Sequence, residues 1–302
     1  MGFAIRKGKE MEGVLVGCGQ ITWKRGTPRE QVLTEIAQAG YDGAPAGPRP
    51  GRSAEETVEL YAQYGLKPAP AYLGADFWKA DQRDEILERA RKLASFMRQV
   101  GCTELYVAAG GFDYTTVSGQ TRSQLAGHVG SEDAISDAEY EQFARVLNEV
   151  GKITLEEGVR SCFHNHVGSV IETGEEIDRL FSLVDRDLVF QGPDIGHLAW
   201  GGVDVVQFCR DYAKSIKTMH LKDINPVVLK KGQEEKWDYQ TFSEEGIFAE
   251  LGEGFVDFPT VFDILRDAGF QGWIIVETDV TQKPTALESA IISRNYLKSI
   301  GV

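Results

Sequence analysis

The segment 161–168, SCFHNHVG, sets His164 and His166 on either side of an asparagine, in a chain with only five histidines among 302 residues. Two more, His197 and His220, lie in DIGH and HLKD, beside Asp194, Lys222 and Asp223, and Glu277 and Asp279 follow the apolar run WIIV. Carboxylate oxygens combined with one or two imidazoles suit Mn²⁺, Co²⁺, Fe²⁺, Mg²⁺ or Zn²⁺. An open site of that kind polarises a carbonyl or hydroxyl oxygen, and a flanking His, Lys or Glu can then move a proton on the neighbouring carbon. Ketose isomerisation, epimerisation and enolate-forming dehydration all use that chemistry. Taken singly, each residue has a plainer role. A strand-end histidine can be a bonded core residue, Asp194 a helix cap, HLKD a solvated turn, and Glu277 a rim carboxylate paired with lysine. Taken jointly, a His or carboxylate at the same level of four successive strands favours one shared site.

Those positions follow from the elements around them. Short apolar runs at 13–23, 40–47, 66–74, 103–111, 159–166, 187–196, 215–223 and 272–279 read as strands. Helical patterns follow each, at 28–40, 53–65, 83–100, 137–157, 174–183, 204–213, 258–267 and 285–299. Their signals include Ser53 and Glu56 at capping-box spacing and stops at Gly40 and Gly65. Strict βα alternation predicts a parallel sheet, and eight units are the count that closes a (β/α)8 TIM barrel. A doubly wound nucleotide-binding sheet is disfavoured, because GCGQIT after the first strand lacks the third glycine of the dinucleotide fingerprint. The expectation is one barrel domain over 1–302, with 1–11 a flexible N-terminal extension. Two long connections, 112–136 and 224–257, are expected to overhang the C-terminal mouth, where a barrel gathers its strand ends.

Composition narrows the partners. Forty-six acidic against 32 basic residues give a formal charge of −14, a surface that repels phosphate backbones and anionic membranes. No run is long and apolar enough to span a bilayer, and the charged start MGFAIRKGKEMEG is unlike a signal peptide. Four scattered cysteines without a C-x-x-C pair fit free thiols in a reducing cytoplasm. The expected partner is a small neutral or cationic molecule, with no nucleic acid and no membrane. A homo-oligomer stays open.

Together FHNHVGSVIET, DIGHLAWGG, MHLKD and LGEGFVDFPTVFDILRDAGFQGWIIVE resemble the xylose isomerase-like TIM-barrel superfamily of sugar isomerases and epimerases, nearest its inosose dehydratase-like branch. The resemblance spans almost the whole chain. It implies one divalent metal, no organic cofactor, and a keto-sugar or keto-polyol substrate. Carried over motif by motif, it implies Asp194, His220 and Glu277 as metal ligands. Family members often carry E-N-H on the fifth strand, where this chain has His164-Asn165-His166. The first ligand is therefore taken as Glu172, folding back after Gly168, with His164 and His166 facing substrate; His164 as ligand is the alternative. The resemblance further implies His197 as a hydroxyl binder, and His166, Lys222 and Glu253 as candidates for proton transfer. Trp23 is expected as an apolar platform for the substrate. A second departure is GAPAG on the second strand, where relatives often place a glutamate. Two rivals remain: a sugar-binding protein with a decayed site, and an abasic-site endonuclease of the same fold, which the acidity and the few histidines oppose.

Overall fold

The computed structural model describes residues 11–302. All of the expected N-terminal extension except Met11 lies outside the described residues. Eight parallel strands form a ring. The first, Val14–Cys18, pairs on one side with the second, Gly43–Pro45, and on the other with the eighth, Gly272–Val276. The fourth (Glu104–Ala109), fifth (Arg160–His164) and sixth (Val189–Gln191) pair in sequence. The seventh, Met219–Leu221, joins the eighth directly and meets the sixth through the bridges Gln191 to Ile216 and Asp194 to His220.

The third strand comes in two pieces. Lys67–Ala69 pairs with the second strand and Tyr72–Ala75 with the fourth. Pro68 and Pro70 have no N–H to give a ladder, so the strand bends there and hands its pairing from one neighbour to the other.

The helices fall where the apolar periodicity places them. Arg29–Ala39 ends on Gly40 in the left-handed conformation. Capping boxes at Ser53, Ser136 and Thr173 start Ala54–Ala62, Asp137–Glu156 and Gly174–Leu183. Val205–Tyr212, Phe258–Asp267 and Ala286–Ser299 complete the outer layer. Most of the buried apolar residues form one cluster, while Ala69, Tyr106, Trp273 and Ile275 form a second, smaller one. These four share the strand faces that carry the site, so they fill the barrel beneath it.

Both long connections are built rather than loose. The segment 112–136 is fastened by Arg122, which is fully buried: its guanidinium donates to Glu176 at 2.7 and 2.9 Å and to the Ser169 carbonyl at 2.8 Å. The segment 224–257 holds helices Pro226–Glu235 and Tyr239–Glu244, and a short antiparallel pairing ties Phe248–Ala249 back to Asp223–Ile224.

Candidate metal and active site

Asp194 is the hinge of the site. It follows the sixth strand and caps the short helix Ile195–Trp200, its Oδ1 accepting the His197 N–H at 3.0 Å. The other oxygen, Oδ2, is left for the barrel interior. It lies 2.7 Å from Lys222 Nζ, 3.8 Å from His164 Nε2 and 3.9 Å from His220 Nδ1. The cap and the site residue are thus one side chain used twice. Asn165 fixes the level of this turn: its side chain accepts the Asp194 N–H at 3.0 Å and donates to the Asp194 carbonyl at 3.3 Å. Gly196 is needed beside it, because a Cβ there would come within 2.4 Å of Lys222 Cβ.

Glu277 enters from the eighth strand end. Its Oε2 lies 3.1 Å from His220 Nδ1 and 3.0 Å from Lys222 Nζ, in space that a side chain at Gly19 would occupy. Asp279 reaches the same ammonium at 3.2 Å. Three nearly buried carboxylates therefore share one ammonium, leaving a deficit of two positive charges in a desolvated place. His220 is buried with neither ring nitrogen aligned for a hydrogen bond. Both features suit a divalent cation, and His164, Asp194 and His220 have ligand atoms within 4.8 Å of one another.

Backbone contacts fix which ring atoms are free. His164 Nδ1 sits 3.2 Å from the Gly192 carbonyl, which can only accept, so the proton is on Nδ1 and the Nε2 lone pair faces Asp194. His166 Nδ1 likewise donates to the Val167 carbonyl at 2.7 Å, leaving Nε2 unprotonated. His197 is set the other way: the Val167 N–H donates to its Nδ1 at 3.3 Å, so Nε2 carries the hydrogen.

Burial lowers the affinity of all three rings for a second proton. His166 is pushed down to about 4, by burial first and then by Lys222. His164 falls well below its usual range through burial and the neighbouring His220, and His197 through burial and His166. Burial alone would raise the carboxyls of Asp194 and Glu277. Lys222 dominates at Asp194, and His220 with Lys222 at Glu277, so both are held well below the usual range. Asp279 goes the other way, raised by burial and by the charges of Glu277 and Asp194. Burial opposes the charge on Lys222, but its three carboxylates win and hold it protonated.

A cavity of about 320 Å³ opens over this cluster. His164, His166, His220, Lys222, Glu277 and Asp279 form its polar floor, and Ile21, Pro45, Pro70, Tyr72 and Tyr106 its apolar wall. Several expected residues are not in it. Glu172 is buried elsewhere, its two oxygens taken by the Gly127 N–H at 2.8 Å and the Gly168 N–H at 2.6 Å, so it does not join the cluster of His164, Asp194 and His220. Trp23 is a core residue whose indole N–H donates to Glu35 at 2.6 Å, not a platform facing the cavity. Glu253 lies half-exposed and paired with Lys283 at 2.7 Å, away from the lining. His197 stands behind His166, ring centroids 3.6 Å apart, and buttresses it instead of lining the cavity.

The residues that the sequence did not mark are the wall. Tyr72 and Tyr106 are partners in register on adjacent strands, with their rings edge-on to His164 at 5.2 and 5.5 Å. Their signal was the shared parity of strands three and four, which needs the register to be known. Asp279, two residues beyond Glu277, was visible as a strand-end carboxylate but had no assigned role.

Fold and site together define a closed (β/α)8 barrel with a buried cluster of imidazoles and carboxylates at the C-terminal mouth. The chain belongs to the xylose isomerase-like TIM-barrel family, whose family model matches residues 33–299. Among curated proteins it is 32% identical over 251 residues to an inosose dehydratase of Geobacillus kaustophilus, covering 83% of this chain and 80% of that one. Among solved structures it resembles the IolI protein with a bound zinc atom, at 15% identity and a TM-score of 0.70, over 95% of this chain and 98% of the other. It also resembles an L-ribulose 3-epimerase, at 17% identity and a TM-score of 0.68, over 95% and 94%. No described helix is long and apolar enough to cross a membrane.

Proposed function

We propose that this chain is a divalent-metal-dependent enzyme that forms an enolate from a keto-sugar or keto-polyol, with dehydration of an inosose-like substrate as the leading outcome. The observation that supports it best is the floor of the cavity: the charge deficit and the two unprotonated imidazole nitrogens of His164 and His166 lie under one polyol-sized space. The relatives named above include a dehydratase and an epimerase, both acting on such compounds by name. Asp194, His220 and Glu277, with His164 beside them, would hold the ion. When bound, a divalent ion supplies Lewis acidity to a carbonyl oxygen, which acidifies the adjacent C–H.

The protein groups do the rest. His166 lines the cavity, and with its Nδ1–H bonded to the Val167 carbonyl its Nε2 lone pair is left to take the α-proton. The His197 ring, tilted against it with centroids 3.6 Å apart, keeps it from turning away. Lys222 lines the same space as a fixed ammonium that can donate to a departing hydroxyl. In dehydration the α-proton and a β-hydroxide leave as water. In isomerisation or epimerisation a proton returns to another carbon or to the other face. The apolar wall of Ile21, Pro45 and Pro70 suits the C–H face of a ring and offers no cation for a phosphate.

Incubation with Mn²⁺ or Co²⁺ and a panel of unphosphorylated keto-polyols in D₂O tests the proposal. Loss of water with a new enone absorbance is the expected result. Deuterium at the α-carbon without water loss identifies an isomerase or epimerase. No exchange with any member of the panel refutes enolate chemistry and favours a binding protein.

A further inference from the structure

Resting on the metal site just proposed, we infer that His164 sets the choice of ion, and that the site takes Zn²⁺, Co²⁺ or Fe²⁺ ahead of Mn²⁺ and Mg²⁺. The donors decide this. His164 is 1% exposed, and the Gly192 carbonyl holds its Nδ1–H so that Nε2 can only present a lone pair toward Asp194 Oδ2. Tyr72 and Tyr106 pack edge-on against the ring at 5.2 and 5.5 Å. His220 brings a second imidazole with both nitrogens unbonded. With Asp194 and Glu277 the set is two nitrogens and two carboxylates.

Of the other nearby carboxylates, Glu172 is committed to the amides of Gly127 and Gly168, and Asp279 groups with His166 and His197 instead of with His164, Asp194 and His220. Imidazole donors favour zinc, cobalt and iron, whereas magnesium and manganese favour carboxylate, carbonyl and water. Since most nitrogen-containing sites prefer zinc or cobalt to manganese to some degree, the diagnostic quantity is the change in preference when the nitrogen of residue 164 is replaced by oxygen.

The full chain, stripped with chelator, is dialysed against a mixture of Co²⁺ and Mn²⁺, and bound metal is counted by elemental analysis. The expected result is one ion per chain, mostly cobalt. His164→Gln and His164→Glu should shift the cobalt-to-manganese ratio toward manganese by roughly tenfold or more. Zinc-loaded wild type, which needs no substitution, is examined in parallel by X-ray absorption, where the outer-shell scattering counts coordinated imidazoles. Two are expected in the wild type and one in His164→Gln. An unchanged ratio in folded variants, a single imidazole in the wild type, or uptake of neither ion overturns the inference. No substrate enters these measurements, so their failure leaves the D₂O result to judge the reaction. Conversely, a zinc site with two imidazoles that exchanges no α-proton would refute the reaction alone.

Discussion

Lys222 shares its acceptors with any ion the site holds. Its ammonium contacts Asp194 Oδ2 at 2.7 Å and Glu277 Oε2 at 3.0 Å, the same oxygens that lie 3.9 and 3.1 Å from His220 Nδ1. The lysine is therefore the resident counter-charge and would compete with a metal ion bound there. Lys222→Met should lower the melting temperature of the metal-free chain, since breaking a buried charge cluster typically costs about 3–5 kcal/mol. The same change should tighten Zn²⁺ binding about tenfold by calorimetry, and saturating zinc should restore most of the lost stability by linkage. Weaker zinc binding would show that Lys222 organises the ligands instead of competing with the ion. At this scale the sequence was most informative where one residue type has one role to fill. Asp194, His220 and Glu277 could be marked because strand ends in a barrel converge. The commitment of Glu172 to two glycine amides could not be marked, because it depends on Gly127, 45 residues upstream, being folded over the mouth.

The elements show how the mouth is fastened. Long βα connections suggest mobile covers, yet 112–136 is tied down by a fully buried Arg122 that binds the Ser169 carbonyl and Glu176 of the helix Gly174–Leu183, both after the fifth strand. This places Phe112 edge-on to His166, ring centroids 5.2 Å apart. Arg122→Met leaves Glu176 buried without its partner, so a loss of roughly 3–5 kcal/mol in urea unfolding is expected. Limited proteolysis should then cut first within 112–136, and a variant as resistant as wild type would show that Arg122 is not the anchor. Periodicity located the helices well because each carries its own start and stop signals. It missed the break in the third strand and the two helices inside 224–257. The first arises from where Pro68 and Pro70 meet their neighbours' ladders, and the second lie in a stretch whose apolar residues pack against the mouth instead of the barrel wall.

Across the whole molecule, the buried charges give stability a pH dependence of mixed sign. His164, His166 and His197 have folded values below their unfolded ones, so their contribution is present at neutral pH and is lost as pH falls; His166 completes that loss near 4. Glu172 acts in the opposite sense. Burial, opposed by Arg122 and by the amides of Gly168 and Gly127, raises its carboxyl from 4.5 to about 7. A carboxyl raised in the folded state favours the protonated form, so its contribution is complete below 4.5 and is lost as pH rises through about 7. At its fullest that loss is roughly 3 kcal/mol. Glu172→Gln cannot ionise, and it keeps only one of the two amide acceptors, which lowers stability by an amount that does not vary with pH. Because the imidazoles remain in both proteins, their terms cancel in the difference between wild type and variant. That difference, measured by thermal unfolding of chelator-treated protein, should favour wild type most near pH 5 and shrink steadily toward pH 8. A difference that is flat with pH would mean that the two amide donors hold Glu172 ionised throughout, outweighing its burial.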